Sequence, residues 1–421
     1  MEQITKPHCG ARLDRLPDCR WHSSMFAIVA FGLLVCWSNA VGGLILAQLK
    51  ALGWTDNSTT ATFSAITTAG MFLGALVGGI IGDKTGRRNA FILYEAIHIA
   101  SMVVGAFSPN MDFLIACRFV MGVGLGALLV TLFAGFTEYM PGRNRGTWSS
   151  RVSFIGNWSY PLCSLIAMGL TPLISAEWNW RVQLLIPAIL SLIATALAWR
   201  YFPESPRWLE SRGRYQEAEK VMRSIEEGVI RQTGKPLPPV VIADDGKAPQ
   251  AVPYSALLTG VLLKRVILGS CVLIAMNVVQ YTLINWLPTI FMTQGINLKD
   301  SIVLNTMSMF GAPFGIFIAM LVMDKIPRKT MGVGLLILIA VLGYIYSLQT
   351  SMLLITLIGF FLITFVYMYV CYASAVYVPE IWPTEAKLRG SGLANAVGRI
   401  SGIAAPYAVA VLLSSYGVTG V

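Results

Sequence analysis

The chain has 421 residues, of which 55% are hydrophobic and only 12% are charged. This balance excludes an ordinary soluble domain and indicates a protein with several membrane-spanning helices. The net charge of +10 does not indicate nucleic-acid binding, because the basic residues are spread over many short loops. We therefore expect the lipid bilayer, and no nucleic acid, to be a partner of this chain.

Eleven apolar segments are long enough to cross a hydrocarbon core of roughly 30 Å, which takes about 20 helical residues. They lie at 25–48, 60–81, 90–108, 114–136, 152–174, 182–202, 266–291, 302–323, 331–348, 353–376 and 391–413. The sequence therefore predicts an all-α membrane protein with eleven spans.

The basic residues also predict the orientation of the chain. Of the 31 Lys and Arg residues, 26 fall in the segments on one side of the predicted membrane. Cytoplasmic loops retain Lys and Arg, so that side is the cytoplasm and the amino terminus is cytoplasmic. This predicts a multi-pass protein of the plasma membrane.

Two charged blocks occur twice along the chain, about 242 residues apart and each time between apolar segments. The block GIIGDKTGRR, which contains Asp83, is matched by MLVMDKIPRK, which contains Asp324. In the same way, Glu138 before Arg-Gly is matched by Glu380 before Arg-Gly. Repeats of about six spans are typical of secondary transporters, which bind substrate between two related bundles.

The repeat divides the chain into an amino-terminal bundle at 1–202, a cytoplasmic loop with short helices at 203–263, and a carboxyl-terminal bundle at 264–421. Subtracting the period from Val421 gives Asn179, just before the sixth span. We therefore expect that the counterpart of the sixth span, a twelfth span, is missing from this chain.

Charged and small residues of the repeated blocks are candidate gating residues. They are Asp83, Lys84, Gly86, Arg87, Arg88, Glu138, Arg145, Asp324, Arg328, Glu380 and Arg389. Either their ion pairs hold the cytoplasmic face shut, or the charges only determine topology. Gly79 and Gly86 are expected to allow a close helix approach and a tight turn.

Five motifs in order resemble the major facilitator superfamily, and within it the sugar-porter-like branch that includes bacterial metabolite transporters. They are the loop block at Asp83, R-x-x-x-G-x-G-x-G from Arg118, Glu138 before Arg-Gly, PESPRWL at 203–209 and PEIWPTEAKLRG at 379–390. The resemblance implies a bacterial inner-membrane protein with two six-helix bundles, a central cavity and alternating access. It also implies that the loop ion pairs form in the outward-facing state and break on opening inward.

Arg118 lies within the fourth predicted span, where a charge is costly. The resemblance implies that it pairs with a proton-carrying aspartate of the first span. The first span has no acidic residue, however, and Asn39 stands roughly at that position. Arg118 therefore either binds a substrate anion, or satisfies backbone carbonyls or reaches Asp112 in a structural role.

Glu95, His98 and Arg399 also lie within predicted spans. Glu95 and His98 are three residues apart, and so share one face of the third span. The resemblance implies that this span is peripheral, so we expect a structural or snorkelling role for the pair rather than a proton relay. Arg399 either faces the cavity or reaches the cytoplasmic interface, and we expect the interface.

Candidate substrate-binding residues follow from spans that the resemblance implies to line the cavity. They are Asn39, Arg118, Asn157, Trp158, Gln280, Tyr281, Asn285 and Tyr372. Amides and aromatic rings suit a small polar organic solute. Because the Gln-Gln pattern of hexose porters is absent from the seventh span, a sugar acid, polyol or other small carboxylate is expected rather than a hexose.

Other classes of function fit the sequence less well. A membrane enzyme would need clustered catalytic side chains, and the three histidines offer no such cluster. No G-x-x-x-x-G-K loop for ATP is present. We therefore expect a monomeric secondary transporter of a small molecule, without cofactor or metal and with the proton as candidate coupling ion. The alternatives are a facilitative uniporter, a transporter-like sensor or a truncated inactive form.

Overall fold

The computed structural model describes residues 7–17, 19–37, 39–141, 145–240, 253–323, 325–383 and 386–421, and it is helical throughout its regular elements. The amino-terminal half contains α1 (Cys9–Asp14), α2 (Arg20–Val35), α3 (Val41–Ala51), α4 (Asn57–Thr85), α5 (Arg87–Ala106), α6 (Met111–Tyr139), α7 (Arg145–Asn157), α8 (Ser159–Leu170) and α9 (Ala176–Tyr201).

The central segment and the carboxyl-terminal half contain the remaining helices. They are α10 (Pro206–Ser211), α11 (Tyr215–Thr233), α12 (Tyr254–Leu257), α13 (Gly260–Thr293), α14 (Leu298–Met309), α15 (Gly311–Val322), α16 (Arg328–Ser347), α17 (Met352–Cys371), a π-helical turn (Tyr372–Tyr377), α18 (Val378–Glu380) and α19 (Lys387–Gly420).

The helical class predicted from the sequence is confirmed, since every predicted apolar segment coincides with one helix or with consecutive helices. In the described part of the chain, nine helical segments are long and apolar enough to cross a membrane. The predicted first span consists of two shorter helices, α2 and α3, and the predicted fifth span consists of α7 and α8.

Proline explains two of the helix breaks. Pro161 has no backbone N–H, so the carbonyl of Asn157 loses its helical donor and the chain breaks between α7 and α8. Pro313 has the same effect on the carbonyl of Met309, where α14 gives way to α15. Both breaks lie midway along a predicted span, the fifth in the first half and the eighth in the second half.

Close glycine contacts hold α4, α5 and α6 together. A Cβ atom added at Gly74 of α4 would lie 2.0 Å from the carbonyl oxygen of Val123, and one at Gly126 of α6 would lie 2.1 Å from that of Met71. Gly124, between the α4-facing glycines of α6, lies against the backbone of His98 on α5. The glycine motif that follows Arg118 therefore permits α6 to pack closely on two helices at once.

The two halves touch mainly through their outer parts, where α3 packs on α13, α4 on α19 and α8 on α14. Asn57 Nδ2 donates to Ser414 Oγ at 3.2 Å, and Asn305 Nδ2 donates to Ser164 Oγ at 3.2 Å. Pro288 leaves the carbonyl of Ile284 without its helical donor, and Gly43 packs directly against this carbonyl. Contacts between the halves therefore close the outer side of the protein.

The amino-terminal helix α1 packs on α10 and α11 through an apolar cluster on the cytoplasmic side. Arg12 bonds to Glu219 and Glu226, and Arg15 bonds to Glu226 at 2.6 Å. Ser205 caps α10, because its side chain accepts from the backbone N–H of Trp208 and Pro206 is the first helical residue.

Candidate functional site

A cavity of about 240 Å³ lies between the two halves, at the level of the helix breaks. Its wall combines apolar, hydroxyl and amide side chains from both halves. The lining residues are Leu33, Cys36, Asn39, Met71, Leu125, Leu129, Phe133, Ser153, Gly156, Asn157, Ser159, Tyr160, Gln280, Tyr281 and Arg399. The structure thus brings together four of the predicted binding residues: Asn39, Asn157, Gln280 and Tyr281.

The break between α7 and α8 forms one polar wall of the cavity. Asn157 Nδ2 donates to the carbonyl of Ser153 at 2.7 Å, which fixes the amide at the end of α7. Tyr160 follows the break and packs edge-on against Tyr367 of α17, with ring centroids 5.4 Å apart. Sequence reasoning did not single out Ser153 or Tyr160, although Pro161 marks this break in the sequence.

The opposite wall is built where α13 meets α19. A Cβ atom at Gly402 would lie 3.1 Å from the ring of Tyr281, and one at Gly398 would lie 2.8 Å from the side chain of Leu273. These two glycines bring α19 close to α13, and Arg399 lies beside them at the cavity wall. The expectation that Arg399 reaches the cytoplasmic interface is therefore wrong.

The cavity has a positive electrostatic character. Arg399 is the one charged side chain among the described residues of the lining, and none of these residues carries a carboxylate. A guanidinium presents several donors in a plane, and so matches a carboxylate better than a neutral hydroxyl. The site can therefore hold a small organic anion, with amides and hydroxyls to bind its other polar groups.

Arg118 lies outside this cavity, fully buried among α3, α4 and α6. Its Nε donates to Thr67 Oγ1 at 3.2 Å, and its guanidinium lies over the ring of Phe63 at 4.7 Å. A Cβ atom at Gly42 would come within 2.7 Å of it. These contacts favour the structural interpretation of Arg118 over direct substrate binding.

Three other predicted binding residues are placed away from the cavity lining. Trp158 contacts Phe310 of the other half, edge-on at 6.3 Å. Asn285 is buried, and its carbonyl lies beside Gly43 in the outer closure. Tyr372 donates from its hydroxyl to the carbonyl of Arg328 at 2.9 Å, and so lies at the cytoplasmic end of α16.

The repeated loop block of the first half forms an ion-pair cluster. Arg87 bonds to Asp83 at 2.7 Å and to Glu138 at 2.8 Å, linking α4, α5 and α6. Glu204 accepts from the backbone N–H of Arg87 at 2.7 Å, and so caps α5. Sequence reasoning missed this role of Glu204, which belongs to the PESPRWL motif.

Glycines of this block differ in their surroundings. Gly86 has φ 98°, and a Cβ atom there would lie 2.2 Å from the Glu204 carboxylate, so the predicted tight turn is confirmed. The predicted close approach at Gly79 is wrong, because a Cβ atom at this position would meet nothing within 4 Å. The neighbouring Gly78 makes the close contact instead, with Ala127.

In the second half, Arg328 bonds to Glu380 at 2.9 Å. Arg88 donates to the carbonyl of Trp199 at 2.6 Å, whereas the Lys84 side chain is exposed. Asp324 and the side chains of Arg145 and Arg389 lie outside the described residues. The Arg87 and Arg328 pairs each lie within one half, so a rocking motion of the halves does not by itself require them to break.

No group of three or more His, Cys, Asp or Glu side chains suited to a metal occurs in the described ranges.

Comparisons with known proteins agree with this architecture. Residues 24–406 match the family model of the Major Facilitator Superfamily. The chain is 44% identical over 420 residues to the inner membrane metabolite transport protein YdjE of Escherichia coli (strain K12), covering 99% of this chain and 92% of that protein. It is 25% identical to the niacin transporter NiaP of Acinetobacter baylyi, covering 96% and 90% of the two chains.

Among solved structures, the partially occluded inward open conformation of the xylose transporter XylE from E. coli superposes with a TM-score of 0.72. The identity is 17%, and the match covers 96% of this chain and 95% of that chain. With the helical architecture, the central cavity and the family match over most of its length, this chain belongs to the Major Facilitator Superfamily, as a secondary metabolite transporter of the inner membrane and not an enzyme.

Proposed function

We propose that this chain transports a small organic carboxylate across the inner membrane by alternating access. Arg399 carries the proposal, because it places a guanidinium in a small cavity whose described lining has no acidic side chain. A substrate carboxylate would neutralise this charge through paired hydrogen bonds. Asn157 and Gln280 would then bind hydroxyl or ring nitrogen groups of the same solute.

One relative supports an acid as substrate without identifying it for this chain. This relative is named a niacin transporter, and niacin is an aromatic monocarboxylic acid. Its planar ring would fit between aromatic side chains such as Tyr160 and Tyr281, which both line the cavity. A sugar acid would use the amides of the same cavity instead.

Thermal stabilisation of the purified protein tests the recognition of a carboxylate. Each acid is compared with a neutral partner of similar shape: nicotinate with nicotinamide, gluconate with sorbitol, and glucuronate with glucose. We expect at least one acid, and not its neutral partner, to raise the melting temperature, because a ligand that binds only the folded state stabilises it.

Variants at Arg399 locate the contact. Loss of charged hydrogen bonds in Arg399→Gln should weaken binding of the acid by about tenfold to a hundredfold, whereas Arg399→Lys should weaken it less. Arg118→Lys provides the comparison for an arginine outside the cavity. Equal stabilisation by acids and neutral partners, or full stabilisation in Arg399→Gln, would contradict the proposal.

The proposal includes a topology of eleven spans with a cytoplasmic amino terminus, in which bundles 1–202 and 264–421 are joined by the loop 203–263. It is supported by the helix pairs that replace the first and fifth long helices, and by the basic residues on one side. A reporter fused after Val421 should be active on the outer side of the membrane. Activity of that fusion in the cytoplasm would contradict the eleven-span topology.

We also propose that the loop ion pairs participate in gating. Arg87 links three helices of the first half, and Arg328 with Glu380 occupies the matching place in the second half. These arrays bring basic and acidic groups of both halves to the cytoplasmic ends of the helices. Closure of this face would then be stabilised by charges already held in position.

A further inference from the structure

Two titratable side chains near the middle of α5 are completely buried. Glu95 and His98 are both 0% exposed, and His98 Nδ1 lies 3.4 Å from Glu95 Oε2. The other carboxylate oxygen, Oε1, has no hydrogen-bond partner among the described atoms. The expected snorkelling role is therefore wrong, because neither side chain reaches the interface or the lipid. A buried carboxylate with an unsatisfied oxygen is costly in a membrane helix and indicates a functional site.

The pair lies between the first and fourth predicted spans. Phe91, Glu95 and His98 share one face of α5 by helical spacing. The ring of Phe91 lies against Gly32 of α2, and the backbone of His98 lies against Gly124 of α6. This face of α5 is therefore turned towards α2 and α6.

The carboxylate is also close to the central cavity. Cys36, the residue after α2, lies within electrostatic range of Glu95 and lines the cavity. The helix is interrupted between Cys36 and α3, and helix C-termini and unwound carbonyls at mid-membrane are typical cation and proton sites of transporters.

Charged groups on the helices packed against α5 lie towards the helix ends. On α2 they are Arg20 and His22, on α4 Asp83 and Lys84, on α6 Asp112, Arg118 and Glu138, and on α9 Glu177, Arg181 and Arg200. Gly124 of α6 is level with His98, so the part of α6 that is level with Glu95 lies three positions later. Arg118 is nine residues from that level, which is about 13 Å of helical rise. Among the described residues, His98 is the hydrogen-bond partner of Glu95, and the Cys36 thiol lies within electrostatic range of it.

We infer that Glu95, with His98 as its hydrogen-bond partner, is the proton-binding site that couples transport to the proton gradient. The inference rests on the proposed function. A proton from water in the cavity binds Oε1 and forms a neutral carboxylic acid, and the same O–H bond breaks when the proton returns to water. The acid that is missing from the first span is thereby supplied by α5, next to the interruption in that span.

The position of the site explains how the proton could affect the two halves. The chain after Cys36 leads into α3, and α3 packs on α13 of the other half at Gly43. Neutralising Glu95 changes the charge beside this connection. A proton shifts a conformational equilibrium only if the two states bind it with different affinity, so the inference requires that the surroundings of Glu95 differ between the two states.

Infrared spectroscopy tests proton binding without any substrate. Purified protein in proteoliposomes is titrated with acid and base, and the carbonyl stretching band of a protonated carboxylic acid is followed by difference spectroscopy. We expect a buried-acid band in the wild type that is absent from Glu95→Gln and retained in Glu177→Gln, whose side chain is exposed. A band unchanged in Glu95→Gln would overturn the inference.

Transport tests the coupling. Radiolabelled nicotinate uptake into proteoliposomes is driven by an imposed gradient, acidic outside, and is compared with nicotinate exchange without a gradient. Glu95→Gln should exchange nicotinate but show no stimulation by the gradient, while Glu95→Asp should retain part of the stimulation. Stimulation of Glu95→Gln equal to that of the wild type would overturn the inference.

The two proposals fail in different ways. If the wild type exchanges nicotinate but ignores the gradient, coupling through Glu95 is wrong and carboxylate transport stands. If neither nicotinate nor gluconate is exchanged, the proposed function fails, and the coupling fails with it. Size-exclusion profiles of Glu95→Gln and Glu95→Asp establish that each variant is folded.

Discussion

Arg118 is buried against Thr67 and Phe63, outside the central cavity. Anion binding and a structural role were both open for this residue, and these contacts favour the structural role. Arg399 was expected at the interface, but it lines the cavity. The side of a helix on which an arginine lies depends on the helix rotation, and Gly398 and Gly402 determine that rotation by packing on α13. This spacing of small residues was the available signal in the sequence.

Gly86 provides a prediction at the residue scale. In Gly86→Ala, both the positive φ and the close contact with Glu204 become unfavourable. We therefore expect the free energy of unfolding to fall by about 1–3 kcal/mol, with a lower melting temperature. Gly79→Ala is the matched control, because a methyl group there meets nothing and should be neutral or stabilise by roughly 0.5–1 kcal/mol. Fluorescence-detected size-exclusion after heating measures both. Equal melting temperatures for the two variants would contradict the assignment of a glycine-dependent tight turn to Gly86.

At the scale of elements, the cytoplasmic helices form a small unit of their own. Leu13 of α1 packs into an apolar cluster with Trp208 of α10 and Met222 of α11. Trp208 Nε1 also donates to the carbonyl of Asp83 at 2.7 Å, which joins this unit to the last turn of α4. The amino-terminal segment is thereby connected to the first half through the central segment.

Removal of one charge should release the amino-terminal helix. Arg12 is 14% exposed and bonds to both Glu219 and Glu226, so Arg12→Gln should destabilise the docking of α1 by about 2 kcal/mol. Hydrogen–deuterium exchange of residues 9–14 should rise in this variant. Arg223→Gln is the control, because Arg223 is 70% exposed and bonds to the same Glu219. Unchanged exchange in Arg12→Gln would show that the apolar contacts alone hold α1.

The same contact should depend on pH. Burial opposes the ionisation of Glu226, but hydrogen bonds from Arg12 and Arg15 outweigh it and hold the pKa of this carboxyl below its ordinary value. A lowered pKa stabilises the docked state above the ordinary pKa of glutamate, and this stability is lost as the pH falls through the lowered value. Exchange of residues 9–14 should therefore rise below about pH 4, and this rise should be smaller in Arg12→Gln. A rise of equal size in both proteins would contradict the role of the ion pairs.

The helical elements were largely predictable from the sequence, and their interruptions were less so. Apolar length alone located the long helices. The breaks at Trp158 and Phe310 depend on Pro161 and Pro313 acting on carbonyls four residues earlier. The burial of Glu95 was not predictable, because it depends on α2 ending beside the middle of α5.

At the scale of the whole molecule, the outer contacts between halves determine the conformational state. Gly43 lies against backbone carbonyls of Ile284 and Asn285, and a Cβ atom there would lie 2.5 Å from the first of them. This contact can form only when α3 and α13 approach closely. The closed outer side therefore depends on a residue without a side chain.

A methyl group at this position should open the outer side. In Gly43→Ala, spin labels at Ser58 and Ser415 should show a longer distance than in the otherwise unchanged protein, because α4 and α19 separate when the outer contact is lost. Gly334→Ala is the control, since a Cβ atom there meets nothing within 4 Å. An unchanged distance distribution in Gly43→Ala would show that this contact does not control the outer closure.

Counterflow in proteoliposomes tests the central claim most directly, because it requires alternating access and needs neither ATP nor a gradient. Vesicles loaded with unlabelled nicotinate or gluconate are diluted into a trace of the same labelled acid, with nicotinamide and sorbitol as the neutral pairs. We predict transient accumulation of at least one acid by the wild type, little accumulation of its neutral partner, and a large loss in Arg399→Gln. Accumulation of acid and neutral partner to the same extent, or of neither, would contradict the assignment of this protein as a carboxylate transporter.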